Sequence, residues 1–329
     1  MAFSTSSGYG NLPSGNFAPE IFSQKVLKFF RRASVVEDIT NTDYAGEIEN
    51  FGDTVRIIKE PTVTVSAYQR GSVVNPQDLA DDQITMVVDQ ANAFAFKIDD
   101  IEERHSHVNF EALATSSGAF ALKRKYDKTV LQAMSDQAGI AASAVSGTTL
   151  TTTAAAGTLG TANAPINIET DDAGINLMLL MARSLDDESV PEENRWFVAP
   201  PIFYEKCFQA GNKLAEVQVT GDGTSPLRNG LATVGTLAGF RCYKSTALNS
   251  TGGTDQVTLT DGSATLAVDG SENVVLAGHM SSTSTASHIA KTEVVRSTES
   301  FSDVIRGLHV FGQKVLRQEA IVRGVVDFA

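Results

Sequence analysis

The stretch NFGDTVRIIKEPTVTVSAYQRG, Asn50 to Gly71, decides how the rest of the chain is read. Val55 and Ile57 alternate with Arg56 and Ile58. After Pro61 the beat resumes with Val63 and Val65 set against Thr62, Thr64 and Ser66, the period-2 pattern of a β-strand. A return follows in ITMVVDQANAFAFKI, where Ile84, Met86 and Val88, then Phe94, Phe96 and Ile98, keep the alternation. Between them lies a polar tip, RGSVVNPQDLADDQ, carrying Asn75 and Pro76. The pattern predicts a two-stranded β-excursion from Phe51 to Ile98. A lone two-stranded ribbon is marginal in water, so this one is expected to lie against another surface.

Upstream, the first 17 residues are rich in Gly, Ser, Thr and Asn and read as a flexible arm. NFAPEIFSQKVLKFFRRASVV then predicts a short helix with Pro19 in its first turn. Ile21, Phe22, Val26, Phe29 and Phe30 form an apolar stripe, and Lys25, Lys28, Arg31 and Arg32 cover the rest. Such a stripe must dock, either on the body of its own chain or on a neighbour.

Downstream lies the longest helical signal, from about Ser106 to Gln137. Ala112, Leu113, Ser116, Ala119, Phe120, Tyr126, Val130, Ala133 and Met134 recur at spacings of three and four. That helix is longer than a compact domain needs and reads as a spine. Gly118, within ATSSGA, permits a close approach by another backbone or a bend. The low-complexity run GIAASAVSGTTLTTTAAAGTLGTANAPINIET reads as a long loop or weak hairpin.

A second helix, DDAGINLMLLMARSLDDESV, is expected to bury Ile175, Met178, Leu179, Ala182 and Leu185. A buried strand, RWFVAPP, and a short helix, IFYEKCFQA, follow. Gly230, Gly235 and Gly239 suggest tight turns before a strand from Phe240 to Tyr243. DQVTLTDGSATLAVDGSENVVLAG reads as a hairpin turned at Asp261 and Gly262, then another strand. HIAKTEVV, VIRGLHVFGQKVL and AIVRGVV close the chain as strands.

At 329 residues, with 42% hydrophobic and 20% charged side chains, the chain has material for two or more lobes. A net charge of −13 argues against a surface that wraps nucleic acid, which needs clustered Lys and Arg. No apolar run reaches the ~18 residues of a membrane span, and the first residues lack the features of a signal peptide. A soluble, cytoplasmically made protein without a membrane role is expected. Cys207 and Cys242, without a CxxC, read as small buried hydrophobes rather than a disulfide framework or zinc site.

The chemistry-bearing residues do not converge. The sequence holds no nucleophile elbow, P-loop or HExxH. GDGTSPLRNG, Gly221 to Gly230, follows no clear strand and reads as a surface turn. His105 and His107 would diverge by about 200° on a helix, so they share a metal only if extended. The acid pairs Asp81 and Asp82, Asp99 and Asp100, Asp171 and Asp172, and Asp186 and Asp187 mostly sit at element boundaries, where acids favour helix N-termini and solvent. Lys123, Arg124, Lys125 and Lys128 on the spine read as a solvated or salt-bridging face, with an inner nucleic-acid contact as the lesser alternative. No catalytic site, cofactor or metal is expected, and the chain does not read as an enzyme.

The order of parts resembles the major capsid proteins of tailed bacteriophages, the Hong Kong 97-type coat fold, over nearly the whole chain. FGDTVRIIKEPTVTVSAYQRG is similar to the first strand of that family's extended loop. KIDDIEERHSHVNFEALATSSGAFALKRKYDKTVLQAM is similar to the entry to its spine helix. ARSLDDESVPEENRWFVAPPIFYEKC and GTLAGFRCYKSTAL resemble its axial domain, and TESFSDVIRGLHVFGQKVLRQEAIVRG its closing peripheral strands, with Phe311 and Gly312 as a YG-like pair. Each motif alone is weak; their order is specific.

The resemblance implies an α+β fold with an N-terminal arm over 1–48, an extended β-hairpin loop over 49–99, a peripheral domain with the spine over 100–165, an axial domain over 166–288 and closing peripheral strands over 289–329. It implies a self-assembling subunit of pentamers and hexamers in an icosahedral shell around double-stranded DNA, located in the virion and assembled in the bacterial host cytoplasm. Inter-subunit contacts are expected at Phe22, Phe29, Phe30, Val63, Val65, Tyr68 and Arg70. Portal, packaging-motor and scaffolding partners follow, and a cement or decoration protein is a further one. The arm starts almost at Met1, so scaffolding is expected from a separate protein. Some relatives crosslink a loop lysine to a neighbour; nothing singles out Lys59 or Lys97 for that, and no crosslink is expected. The competing readings are an encapsulin-like compartment enclosing cargo enzymes and a hydrolase with a β-rich second domain; the latter leaves arm and ribbon unexplained.

Overall fold

The computed structural model describes residues 34–44, 54–61, 63–65, 67–71, 73, 77, 82–100, 110–139, 158–159, 165–168, 173–207, 236–248, 256–258, 260–261, 264–265, 272–298 and 300–328. The expected helix over the Phe22–Phe30 stripe, His105, His107 and the Gly221–Gly230 turn lie outside them.

A seven-stranded mixed sheet forms the centre of the molecule. Its strands are β4 (Thr158–Leu159), β5 (Ile166–Asn167), β6 (Arg195–Ala199), β7 (Thr236–Leu237), β8 (Phe240–Lys244), β11 (Glu272–His279) and β14 (Ile321–Asp327). A short hairpin, β9 (Thr260–Asp261) and β10 (Ala264–Thr265), stands apart, with antiparallel pairing at the expected turn. Strand β11 pairs antiparallel with both β14 and β6, and β6 pairs parallel with β8.

Alternation sends successive side chains to opposite faces of this sheet. On one face Phe197, Ala199, Val275, Ala277, Val322 and Val326 pack beneath the helices Ala173–Asp187 and Pro201–Cys207. On the other, Trp196, Val198, Val274, Leu276, Ile321 and Val325 meet Tyr126, Val130, Leu131 and Met134 of the long helix. Both faces are covered, which explains why Trp196 to Ala199 read as a continuous apolar run and why every position of β6 is buried.

We number the helices α1 (Val36–Ile39), α2 (Phe110–Asp136), α3 (Ala173–Asp187) and α4 (Pro201–Cys207). The expected spine is α2, 27 residues and therefore about 40 Å long. Pro201 opens α4, where its missing N–H is harmless. In α3 the buried face is Ala173, Leu177, Met178, Met181 and Leu185, whereas Leu179 is exposed and Ile175 half-buried. The expectation that Leu179 faces the core is thus corrected. Apolar residues surround this helix, so spacing alone does not single out one stripe.

A three-stranded sheet runs in the order β12 (Thr283–Arg296), β13 (Ser302–Val315), β3 (Gln90–Asp99). This corrects the expected ribbon from Phe51 to Ile98. The ladder between β1 (Thr54–Lys59) and β2 (Asp82–Val87) runs from Thr54 opposite Val87 to Lys59 opposite Asp82. Past Val88 and Asp89 the chain leaves that ladder, and β3 pairs antiparallel with β13, Asp99 opposite Ser302 and Gln90 opposite Phe311. Periodicity establishes a strand but not its neighbour.

The remaining strands find their partners as follows. Among its described residues the low-complexity run, expected as a long loop or weak hairpin, contributes β4 and β5, each parallel to β14. Of the three closing strands, β12 and β13 pair with each other, while β14 crosses into the central sheet.

Candidate inter-subunit surface

The base of the β1–β2 ribbon is seated on the body. Val55, Met86 and Val88 are buried with Ala286 and Val310 of the three-stranded sheet, and Ile57 and Tyr44 pack beside them. Gly312 makes the crossing possible: a Cβ there would stand 2.6 Å from the Val87 carbonyl oxygen and 2.9 Å from the Val88 Cα. The surface the ribbon was expected to need is therefore its own chain at the base, and not along its whole length.

Farther out it carries apolar groups into solvent. Ile58 is 82% exposed, Val65 96% and Val73 85%; Val63, Tyr68 and Arg70 are exposed as well. The strand expected to resume at Val63 is not seen at residues 63–65, which have no ladder partner among the described residues. Thr64 is held instead by a side chain: its N–H and its Oγ1 donate to the Gln77 Oε1 at 2.9 and 2.8 Å. A Val side chain that passes from water into a packed contact contributes about 1.5–3 kcal/mol, so this segment holds the material of a strong interface.

A second apolar group stands at the far end of the β12–β13 hairpin, where Phe301 is 81% exposed and Val294 and Val295 are exposed. Arg296 pairs there with Asp100 and with Asp303, and Arg306 with Glu293. Sequence reading missed this patch. The signal was the doublet of adjacent valines, which cannot share one face of a strand.

The spine is clamped to the three-stranded sheet through Phe94. A Cβ on Gly118 would lie 2.8 Å from the Phe94 ring, and one on Gly307 would lie 2.3 Å from it. The close approach read from ATSSGA is thus that of an aromatic ring. Nearby, Tyr126 meets Phe311 and His309 edge-on at 4.9 and 5.5 Å between ring centroids. Burial lowers the His309 pKa from its ordinary value and raises that of Tyr126.

Asp81, His105, His107, Asp171 and Asp172 lie outside the described residues, and the described histidines and acids weighed for chemistry do not gather into one site. Among the described residues no three His, Cys, Asp or Glu side chains gather as a metal site. His279 accepts from the Ser281 N–H at 3.1 Å, and desolvation lowers its pKa. Asp186 pairs with the buried Arg195 at 2.7 Å, and Asp187 with Arg183. Asp100 serves the hairpin through Arg296. On the basic face, Lys123 pairs with Glu37 at 3.0 Å, and the buried Asp127 accepts from the Ser34 Oγ at 2.6 Å. Neither Cys207 nor Cys242 is in a disulfide, and burial pushes the Cys207 thiol up to about 12. No helix among the described residues is long and apolar enough to cross a membrane.

No protein-family model matches the sequence, and no curated protein matches it. Solved structures do. A chain from Mycobacterium phage Che8 is 26% identical, with a TM-score of 0.72 over 94% of this chain and 97% of its own. The capsid structure of the cyanophage P-SCSP1u matches at 18% identity and a TM-score of 0.67 over 100% of both chains. The mature capsid of bacteriophage PhiM1 matches at 14% identity and a TM-score of 0.64, covering 95% of this chain and 92% of that one. The mixed helix-and-sheet fold described above is shared with these chains from end to end.

Proposed function

We infer that the chain is the major capsid protein of a tailed double-stranded-DNA bacteriophage, with the Hong Kong 97-type fold. The observation that carries this is the end-to-end likeness to the Che8 chain, over 94% of one and 97% of the other at 26% identity, reached independently of the motif order in the sequence. A structural subunit, and not an enzyme, accounts for the apolar residues standing in solvent on the ribbon.

On this reading the arm is 1–48, the extended loop 49–99 with its hairpin formed by β1 and β2 and its return through β3, the spine-bearing peripheral domain 100–165, the axial domain 166–288 and the closing segment 289–329. Subunits associate into pentamers and hexamers of an icosahedral shell that encloses DNA without reading its sequence. Val63, Val65, Tyr68 and Arg70 meet a neighbouring subunit. A separate scaffolding protein, a portal and a cement protein are the expected partners, and assembly takes place in the host cytoplasm. The three solved structures named above are phage structures, which gives the encapsulin-like reading no support.

Electron microscopy of the purified protein, alone and with the products of neighbouring genes, tests this. Closed shells or ring-shaped capsomers are expected. A monodisperse monomer at high concentration in assembly conditions would refute it. Shells filled with a protein cargo and free of DNA would favour the compartment.

A further inference from the structure

Between α1, the spine α2 and the three-stranded sheet lies an apolar groove of about 390 Å³. Its helix wall is Thr115, Ala119, Leu122 and Tyr126, and its sheet wall includes Phe94 and Leu308. The helix positions are spaced four, three and four apart, one continuous face of an α-helix. Ala119 and Leu308 are exposed, and Leu122 and Phe94 are half-buried, so the wall is apolar and incompletely covered.

The described chain enters at one end of this groove. Ser34 donates to Asp127, the residue after Tyr126, and Val35, Val36 and Ile39 are buried beside Tyr126. Glu37, three residues on, pairs with Lys123 at the rim. The chain before Ser34 therefore starts where the helix wall ends. That chain carries Phe22, Val26, Phe29 and Phe30, whose spacing predicts a stripe on one face of a helix. From Phe22 to Phe30 a helix rises about 12 Å, and the wall from Thr115 to Tyr126 rises about 17 Å. The stripe is shorter than the wall and fits within it, both follow helical spacings of three and four, and only residues 31–33 separate the stripe from the rim.

We propose that the Phe22–Phe30 stripe docks in this groove on its own chain, running in the same direction as the spine. Of the two places the stripe's character left open, the groove selects the chain's own body, in place of a neighbouring subunit. The stripe covers Ala119 and Leu122, while Lys25, Lys28, Arg31 and Arg32 face solvent. The inference rests on the groove and the chain entry and does not require that the protein build a shell.

A full-length chain with Phe29→Cys and Ala119→Cys, treated with a short bis-maleimide and run on a denaturing gel, tests the docking. The wild-type chain is the control for Cys207 and Cys242. A 29-to-119 crosslink within one chain, identified by peptide mass spectrometry at monomer mobility, is expected. A crosslink that doubles the mass would overturn own-chain docking in favour of a second copy. Absence of either would overturn docking altogether. As a second measurement, Ala119→Cys alone should react with a maleimide at least tenfold faster once Phe22, Phe29 and Phe30 are all changed to Ser, with the far-ultraviolet dichroism unchanged. An equal rate in both chains would also overturn it.

Discussion

Phe94 lies between two glycines, and that contact controls how closely the spine approaches the sheet. Gly307→Ala would drive a Cβ to 2.3 Å from the ring edge, so overpacking is expected to cost about 1–3 kcal/mol in urea unfolding of unassembled subunits. Pairing it with Phe94→Leu should recover most of the loss, and additive losses would mean that the ring is not what the methyl meets. His309 gives a pH signature. Its pKa lies below the ordinary 6.5 because burial disfavours the charged ring, so the fold binds that proton less well than the unfolded chain does. Its contribution to stability is present in full above about pH 6.5 and is lost as the pH falls through the lowered folded value. His309→Gln, which keeps a polar group near the Ser287 hydroxyl, should flatten that fall in part, because His279 is shifted the same way. A variant with the wild-type profile would show that His309 does not drive it. Neither Phe94 between its glycines nor the half-buried His309 was legible in the sequence, since each depends on contacts between segments far apart in the chain.

At the scale of elements the ribbon is the part most open to test. Its base is held by Val55, Met86 and Val88, and its outer segment carries Val63 and Val65 in solvent. Val63→Asp with Val65→Asp is expected to change subunit stability by less than about 0.5 kcal/mol, as exposed substitutions do. The same change should abolish or strongly slow particle formation followed by light scattering, because each buried valine is worth about 1.5–3 kcal/mol in a contact and a buried carboxylate costs more. Normal particles from that variant would remove these residues from the interface. Alternation made β1 and β2 legible, but the strand it predicted past Pro61 is not formed at residues 63–65. The exposure of Phe301, Val294 and Val295 was not legible, because exposure of a hairpin end depends on what lies beside it.

For the whole molecule, charge decides the relation to nucleic acid. With a net charge of −13, binding driven by release of counterions from phosphates has little to draw on. Purified protein should therefore show no retardation of a linear duplex at about 0.15 M salt in a gel-shift titration. Submicromolar binding there would mean that Lys123, Arg124, Lys125 and Lys128 act together as a phosphate-facing surface, the lesser reading of that cluster.

Local pattern alone determined the long helix, the buried RWFVA strand, the strands β1 and β2 and the order of parts that resembles a phage coat protein, because side-chain period is a property of neighbours in the chain. Only the tertiary structure decided that β3 leaves the ribbon for β13, that β14 crosses to β11, and that Leu179 faces outward. Strand pairing and helix orientation are chosen by contacts between distant segments. A period of two or of 3.6 residues says that a face will be buried, and packing says against what.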